Sequence, residues 1–308
     1  MNKIVFKDIK DFNPDHIFQC GQCFRWEPVD RTDINDLAER SCAGGQEQLN
    51  TGFFSNKKQQ YLGIAGKYLA LIEYESDHKT LTITGNGDRT FWRNYLDLDR
   101  DYGEIKARLI NQDSTIAEAI DFGSGIRILN QDLWETIISF IISQNNHIPR
   151  IKGCINNLAI HFGDEIGGTD FVGKIIDRDF HAFSLPSPEV MANLSVEDLA
   201  PIRLGYRAKY LIESAKQVCE KGLPDRYEEL LRLTGVGPKV ANCIALFGLG
   251  ERQSFPIDVW VKRVMHHVYG LPEEDIKGIA EFAENKFGDL GGYAQQYLFY
   301  YMRELDRK

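Results

Sequence analysis

The chain is 308 residues long, 43% hydrophobic and 26% charged, proportions that suit a soluble globular protein with core enough for two or three domains. No apolar run reaches the roughly 18–20 residues of a membrane span, and the opening M-N-K-I-V-F-K-D-I-K has no signal-peptide core, so the expectation is a cytoplasmic protein with no membrane partner. A net charge of −9 weighs against a nucleic-acid partner, yet between positions 202 and 270 eleven lysines and arginines stand against seven carboxylates, and a local basic face on an acidic body suits an enzyme that binds a polyanion and then releases it.

From position 3 to about 98 the pattern is mostly strand. Ile4-Val5-Phe6 opens it, and apolar runs at 18–26, 61–64, 68–74 and 81–83 continue it. Positions 30–52 are polar and contain Cys-Ala-Gly-Gly, which predicts a long loop. Phe91 to Leu96 reads as a short helix leaving the sheet. After Asp99 helix candidates succeed one another at 102–111, 114–122, 132–143, 148–162, 187–193, 196–202, 207–221, 225–233, 238–249, 259–269, 273–287 and 293–305. Short loops with Gly or Pro separate them, as in a compact helical domain. There is no internal repeat.

Of the six cysteines only Cys20 and Cys23 form a C-x-x-C, and no second pair completes a zinc site. A redox motif of this kind needs a strand-to-helix junction, whereas this one lies among strand-like residues. His147 and the pair His266-His267 have no metal-like companions. No metal and no cofactor are expected.

The most informative stretch runs from Leu233 to Trp260, L-T-G-V-G-P-K-V-A-N-C-I-A-L-F-G-L-G-E-R-Q-S-F-P-I-D-V-W. Gly235-Val236-Gly237 is a tight turn between two helical patterns, and Pro238 suits the first position of the second helix. Successive backbone N–H groups in such a turn make a concave seat for a phosphate. Lys239 then falls in the first helical turn, where the macrodipole disfavours a cation and favours the free amine. A free amine can attack carbon and form a Schiff base. Asp258 stands just before the apolar spacing Val259, Val264, Met265, Val268 and reads as an N-cap; it could also stabilise a developing positive charge. Charge placement alone fits an ordinary surface lysine and an ordinary cap, and the glycine turn immediately before the lysine is what favours the chemical reading.

L-T-G-V-G-P-K-V-A followed by P-I-D-V resembles the helix–hairpin–helix and Gly/Pro-Asp loop of the base-excision DNA glycosylases. A lysine in the first turn of the second helix marks the branch that also cleaves abasic sites. Three further segments, C-G-Q-C-F-R-W, S-F-I-I-S-Q-N-N-H-I-P-R-I and Y-A-Q-Q-Y-L-F, are similar to the 8-oxoguanine DNA glycosylases within that superfamily. Together the four span most of the chain; the hairpin alone is only moderately specific, the four in this order strongly so.

The resemblance implies an α+β protein, with an N-terminal twisted antiparallel β-sheet domain (1–115) followed by a mainly α-helical helix–hairpin–helix glycosylase domain (116–308). Two helical subdomains would flank the active-site cleft. It implies Lys239 as nucleophile and Asp258 as its charge-stabilising partner. Cys243 and Phe299 match the groups on either face of the oxidised base, Phe247 an apolar wall, and Gln295 the amide on the Watson–Crick edge. Gly21 matches the glycine whose carbonyl accepts from N7–H, a proton that guanine lacks. Asn145, Arg150, Tyr206 and Arg207 match the group that fills the vacated stack and holds the orphaned cytosine. Gly235, Gly237, Val240 and Pro256 would contact the backbone.

The implied function is excision of 8-oxoguanine from duplex DNA, preferably opposite cytosine, with β-elimination at the abasic site, by a monomer working in the cytoplasm, at the nucleoid if the source is bacterial. The chain departs from the pattern at Trp260, where many eukaryotic relatives have a histidine, and at Phe247, where they often have methionine. With no cysteine after Cys243, the iron–sulfur cluster of some hairpin glycosylases is not expected, while the hairpin carbonyls offer a seat for a monovalent ion. The rival readings are an alkylated-base glycosylase, a non-catalytic hairpin DNA-binding module, and a C-x-x-C redox or zinc protein.

Overall fold

The computed structural model describes residues 2–29, 58–167 and 181–306; the polar stretch expected to be a loop at 30–52, with Cys42, lies outside them. Five strands are described: β1 (Asn2–Phe6), β2 (Trp26–Pro28), β3 (Lys58–Ala65), β4 (Tyr68–Glu75) and β5 (Thr80–Gly85). They form one antiparallel sheet in the order β1-β5-β4-β3-β2. Period-two alternation is cleanest in β5, where Leu81 and Ile83 turn inward and the threonines outward. In β4 both faces are buried: Ala70, Ile72 and Tyr74 join one core, Leu69 and Leu71 another that includes Ile166 and Ala182. The first of these cores is aromatic. Phe18 stacks on Trp26 at 4.5 Å, and the Trp26 indole N–H donates to the Tyr95 hydroxyl at 2.8 Å.

Helix α1 (Pro14–Phe18) corrects the strand expected at 18–26. Asn13 caps it and Pro14 occupies the first turn. Beyond it the chain bends, with Gly21 at φ +81°, and only Trp26 onward is strand. The alternation that mimicked a strand has another cause: Cys20 and Phe24 pack into the helical core, while Cys23 and Trp26 pack into the sheet core. Gln22, fully buried, takes the place of ladder bonds. Its amide donates to the Ile17 and Arg127 carbonyls at 2.9 and 2.8 Å and accepts from the Leu129 N–H at 2.8 Å. Burial pushes the Cys20 thiol up to about 11, making it a packing group rather than a reactive thiol.

The rest is helical: α2 (Arg89–Tyr95), α3 (Tyr102–Gln112), α4 (Ala117–Phe122), α5 (Leu133–Ser143), α6 (Ile148–Phe162), α7 (Pro188–Ala192), α8 (Arg207–Lys221), α9 (Tyr227–Leu230), α10 (Pro238–Ile244), α11 (Val259–Tyr269), α12 (Ile276–Phe287) and α13 (Gly291–Leu305). Asp132 caps α5, which is buried from Thr136 to Ile142 and forms the axis of the larger core. Tyr102, Ile105 and Leu109 of α3 belong to that core rather than to the sheet. No helix among the described residues is long and apolar enough to cross a membrane.

Several expected helices are shorter. The one at 196–202 keeps only a 3-10 turn, Ala200–Ile202, because Pro201 lacks the N–H a longer helix needs. The one at 225–233 shrinks to α9, and α12 starts at Ile276 after its Asp275 cap rather than at 273. The expected helix at 238–249 is α-helical only to Ile244, then widens into a π turn, Ala245–Leu249.

Two charged side chains, Arg127 and Glu135, tie the parts of the fold together. Arg127, 4% exposed, donates to the carbonyls of Lys10 (2.8 Å), Asp11 (3.0 Å) and Asp97 (2.6 Å). Arg127→Met leaves those carbonyls without their donor, and chemical denaturation should show a loss of roughly 3 kcal/mol. Glu135, in the first turn of α5, accepts from the Gly66 N–H at 2.8 Å. Part of its side chain reaches solvent, yet burial of its carboxyl raises the pKa to about 7 against the pull of Arg25. A folded-state pKa above the unfolded value means the contribution is full below about 4.5 and is lost as pH rises through about 7. Glu135→Gln is therefore expected to stabilise the protein by about 1–2 kcal/mol at pH 8 and by little at pH 5, read as melting temperature against pH.

Candidate active site

The hairpin is built as its residues require. Gly235 has φ +81°, and a Cβ there would collide with the Tyr210 ring, so only glycine turns the chain. The Val236 N–H donates to the Leu233 carbonyl at 3.1 Å, and the Gln144 amide donates to the Gly235 carbonyl at 3.0 Å, pinning the turn to the end of α5. Gly237 and Pro238 are exposed, whereas the side chains of Val240 and Pro256 are buried. Any contact those last two make with a ligand is through backbone.

Lys239 follows in the first turn of α10, half-buried. Its amine lies 5.9 Å from the centre of the Phe140 ring, and its charge acts on the Cys243 thiol one turn along the helix. Burial raises the Cys243 thiol pKa, against the charge of Lys239. Phe140 also stacks on Phe247 at 5.5 Å, nearly parallel, so the π turn holds Phe247 in a wall beside the amine. Asp258 caps α11, accepting from the N–H groups of Trp260 (3.0 Å) and Val261 (2.9 Å). Burial raises its pKa; those two hydrogen bonds and the charges of Lys239 and Arg303 oppose the rise. Amine and carboxylate thus share one electrostatic environment, although nineteen positions separate them in sequence.

The last helix supplies the opposite wall. Gln295 is 3% exposed and accepts at Oε1 from the Gln296 amide at 2.9 Å. Phe299, half-buried one turn on, lies against Gly21: a Cβ on Gly21 would stand 3.2 Å from the ring. The two ends of the chain therefore meet at the site.

A second cluster surrounds the end of α5. Asn145 has φ +46°, left-handed for a residue with a side chain, and its amide donates to the Tyr206 hydroxyl at 3.3 Å. Tyr206 is 47% exposed. Arg207 differs from expectation. It is 6% exposed and donates to the carbonyls of Gln144 (2.9 Å), Leu204 (3.2 Å) and Asn145 (3.0 Å), so it braces Asn145 from behind. Arg150 is exposed, with a bond to the Arg203 carbonyl at 3.2 Å. Trp260 carries the Arg263 guanidinium 4.9 Å from its ring centre.

Sequence reasoning overlooked Phe140 and Arg303. Phe140 is hidden in the apolar run of α5; Arg303 stands one turn after Phe299, a spacing that could have drawn attention to it.

A glycine hairpin set before an amine-bearing helix, with a capping aspartate near enough to feel the charge of the amine, defines a helix–hairpin–helix protein of the base-excision DNA-repair class. The family models agree: 8-oxoguanine DNA glycosylase, N-terminal domain, matches residues 4–137, and the HhH-GPD superfamily base excision DNA repair protein matches residues 138–288. The chain is 31% identical over 228 residues to a probable N-glycosylase/DNA lyase of Methanothermobacter thermautotrophicus, covering 64% of this chain and 70% of that protein. It is 29% identical over 285 residues to the N-glycosylase/DNA lyase of Saccharomyces cerevisiae, covering 83% and 68%. Among solved structures, the Clostridium acetobutylicum 8-oxoguanine glycosylase/lyase, in complex with duplex DNA containing cytosine opposite 8-oxoguanine, superposes with TM-score 0.81 at 34% identity over 99% of this chain and 96% of that one. MBOgg1, in complex with a low-affinity DNA ligand, gives TM-score 0.82 at 38% identity over 99% and 96%. The chain belongs to the 8-oxoguanine DNA glycosylase/AP lyase family, and its activity is that of a DNA N-glycosylase with lyase action at abasic sites.

Proposed function

We propose that this chain excises 8-oxoguanine paired with cytosine by attack of the Lys239 amine on the sugar C1′. The base departs with the glycosidic electron pair, the amine gives up one proton, and the C1′–O4′ bond opens with its electron pair and a proton going to O4′ to leave the protonated Schiff base, after which loss of the 2′ proton expels the 3′ phosphate by β-elimination. Asp258 balances the positive charge on the sugar as the bond to the base breaks. The single observation that carries the reading is the meeting of Lys239, Cys243 and Asp258 beside the Phe140 ring, where the charge of Lys239 acts on both of the others.

The flipped base lies between Cys243 and Phe299 beside Phe247. Gln295 reads its Watson–Crick edge and the Gly21 carbonyl accepts from N7–H. The backbone of Gly235, Gly237 and Val240 grips a phosphate, helped by the Pro256 loop. Asn145 fills the gap and Tyr206 wedges the stack. Arg150 and Arg207 hold the orphaned cytosine, Arg150 directly and Arg207 after exchanging its backbone carbonyls for base acceptors. One chain supplies every group from Gly21 to Phe299, which supports a monomer as the working unit, in the compartment that holds the DNA.

Borohydride trapping on an 8-oxoguanine:cytosine duplex tests this reading. A covalent adduct with the wild type is expected. Its absence would favour an alkylated-base glycosylase, and binding without cleavage a hairpin DNA-binding module.

A further inference from the structure

Arg303 is charged, 3% exposed, and assigned no part in the scheme above. It stands one turn after Phe299 on α13, with its guanidinium 5.3 Å from the Phe299 ring centre. Nη2 donates to the Gln19 carbonyl and, at 2.8 Å, to the Glu304 carboxylate, which also accepts from Nε at 3.0 Å. Nη1 is buried and has no partner. It is directed at the Gly21 turn, where a Cβ on Gly21 would stand 3.3 Å away. A charged donor enclosed without an acceptor is costly and uncommon in folded proteins. This one lies beside both the glycine and the aromatic ring to which the base is assigned, near enough that Asp258 feels its charge.

We propose that Arg303 is a specificity-determining residue that donates from Nη1 to the C8 carbonyl oxygen of the flipped purine. The inference rests on the reading of the site as an 8-oxoguanine glycosylase. The oxidised five-membered ring presents N7–H and C8=O side by side, a donor next to an acceptor. Guanine presents a bare N7 and a C8–H. The Gly21 carbonyl complements the first group and Nη1 the second, so both halves of the oxidised edge meet a partner and neither half of guanine's does. A buried polar site rejects an analogue that leaves its groups unpaired far more strongly than an apolar pocket rejects a change of size. Nη2, held on Gln19, sets the distance between arginine and turn.

The test measures single-turnover cleavage by wild type, Arg303→Lys and Arg303→Met of two duplexes, one with 8-oxoguanine opposite cytosine and one with a preformed abasic site. The ratio of the first rate to the second should fall roughly 10- to 100-fold in both variants, the effect of one charged hydrogen bond to the base. Lysine retains a cation near Asp258 and a donor for Gln19, so it guards against a folding defect in the methionine variant. In a Lys239→Gln background, the preference for binding an 8-oxoguanine:cytosine duplex over guanine:cytosine should narrow by a similar factor. An unchanged ratio, or equal affinity losses on damaged and undamaged duplex, overturns the proposal. Parallel loss on both cleavage substrates with a lower melting temperature assigns a structural role and also overturns it. A wild type that cuts the abasic duplex but not 8-oxoguanine refutes the reading of the site itself, and the inference with it.

Discussion

Lys239→Gln is expected to form no borohydride-trapped adduct and to lose both base release and strand cleavage, each by about four orders of magnitude or more. Glutamine matches the length of the lysine stem closely enough to keep contact with Phe140 and Cys243, but its amide nitrogen has no nucleophilic lone pair. Because the side chain is half-buried at the rim of the first helical turn, removing its charge should leave the melting temperature within about 1–2 °C. Binding to damaged duplex should persist, since the hairpin backbone and the wall residues are unaltered. Gel-based cleavage and filter binding on one preparation separate the two outcomes. Strand cleavage retained by the glutamine variant would place the nucleophile elsewhere.

Asp258→Asn is expected to lower the excision rate by roughly 10²- to 10³-fold with little loss of stability. Asparagine caps helices about as well as aspartate, so the bonds to Trp260 and Val261 survive while the negative charge does not. The wild type should also show an acid limb in its excision rate above the usual carboxylate range, because burial raises the Asp258 pKa more than its hydrogen bonds and the neighbouring cations lower it. Activity requires the ionised form, so the rate climbs as pH rises through that pKa. The asparagine variant should lack this limb; a limb unchanged in position would assign it to another group.

The parts that were legible are those in which one pattern serves one environment. β5 alternates against the sheet core, and α6 and α8 were bounded closely by Pro149, Gly163 and Gly222. The segment at 18–26 misled because its alternation divides side chains between two cores. Lys239 and Asp258 were legible as a pair because each sits at the start of its helix, a place where residue type carries chemical meaning. Phe299, by contrast, is surrounded by aromatic and aliphatic neighbours, and nothing in its spacing distinguishes a stacking platform from core; the resemblance to a family supplied its expected role. The occupation of Arg207 by carbonyls of a distant segment could not be read at all, since the partners lie more than sixty positions away.

The division of residues 20–24 between two cores means that Gly21 is moored to both halves of the molecule at once. A shear between sheet and helices of a few tenths of an ångström would be delivered undiluted to the carbonyl proposed to tell lesion from guanine. On that proposal, fidelity is a mechanical property of the joint, and substitutions that loosen it, Arg127 among them, are expected to blur discrimination as well as to lower stability.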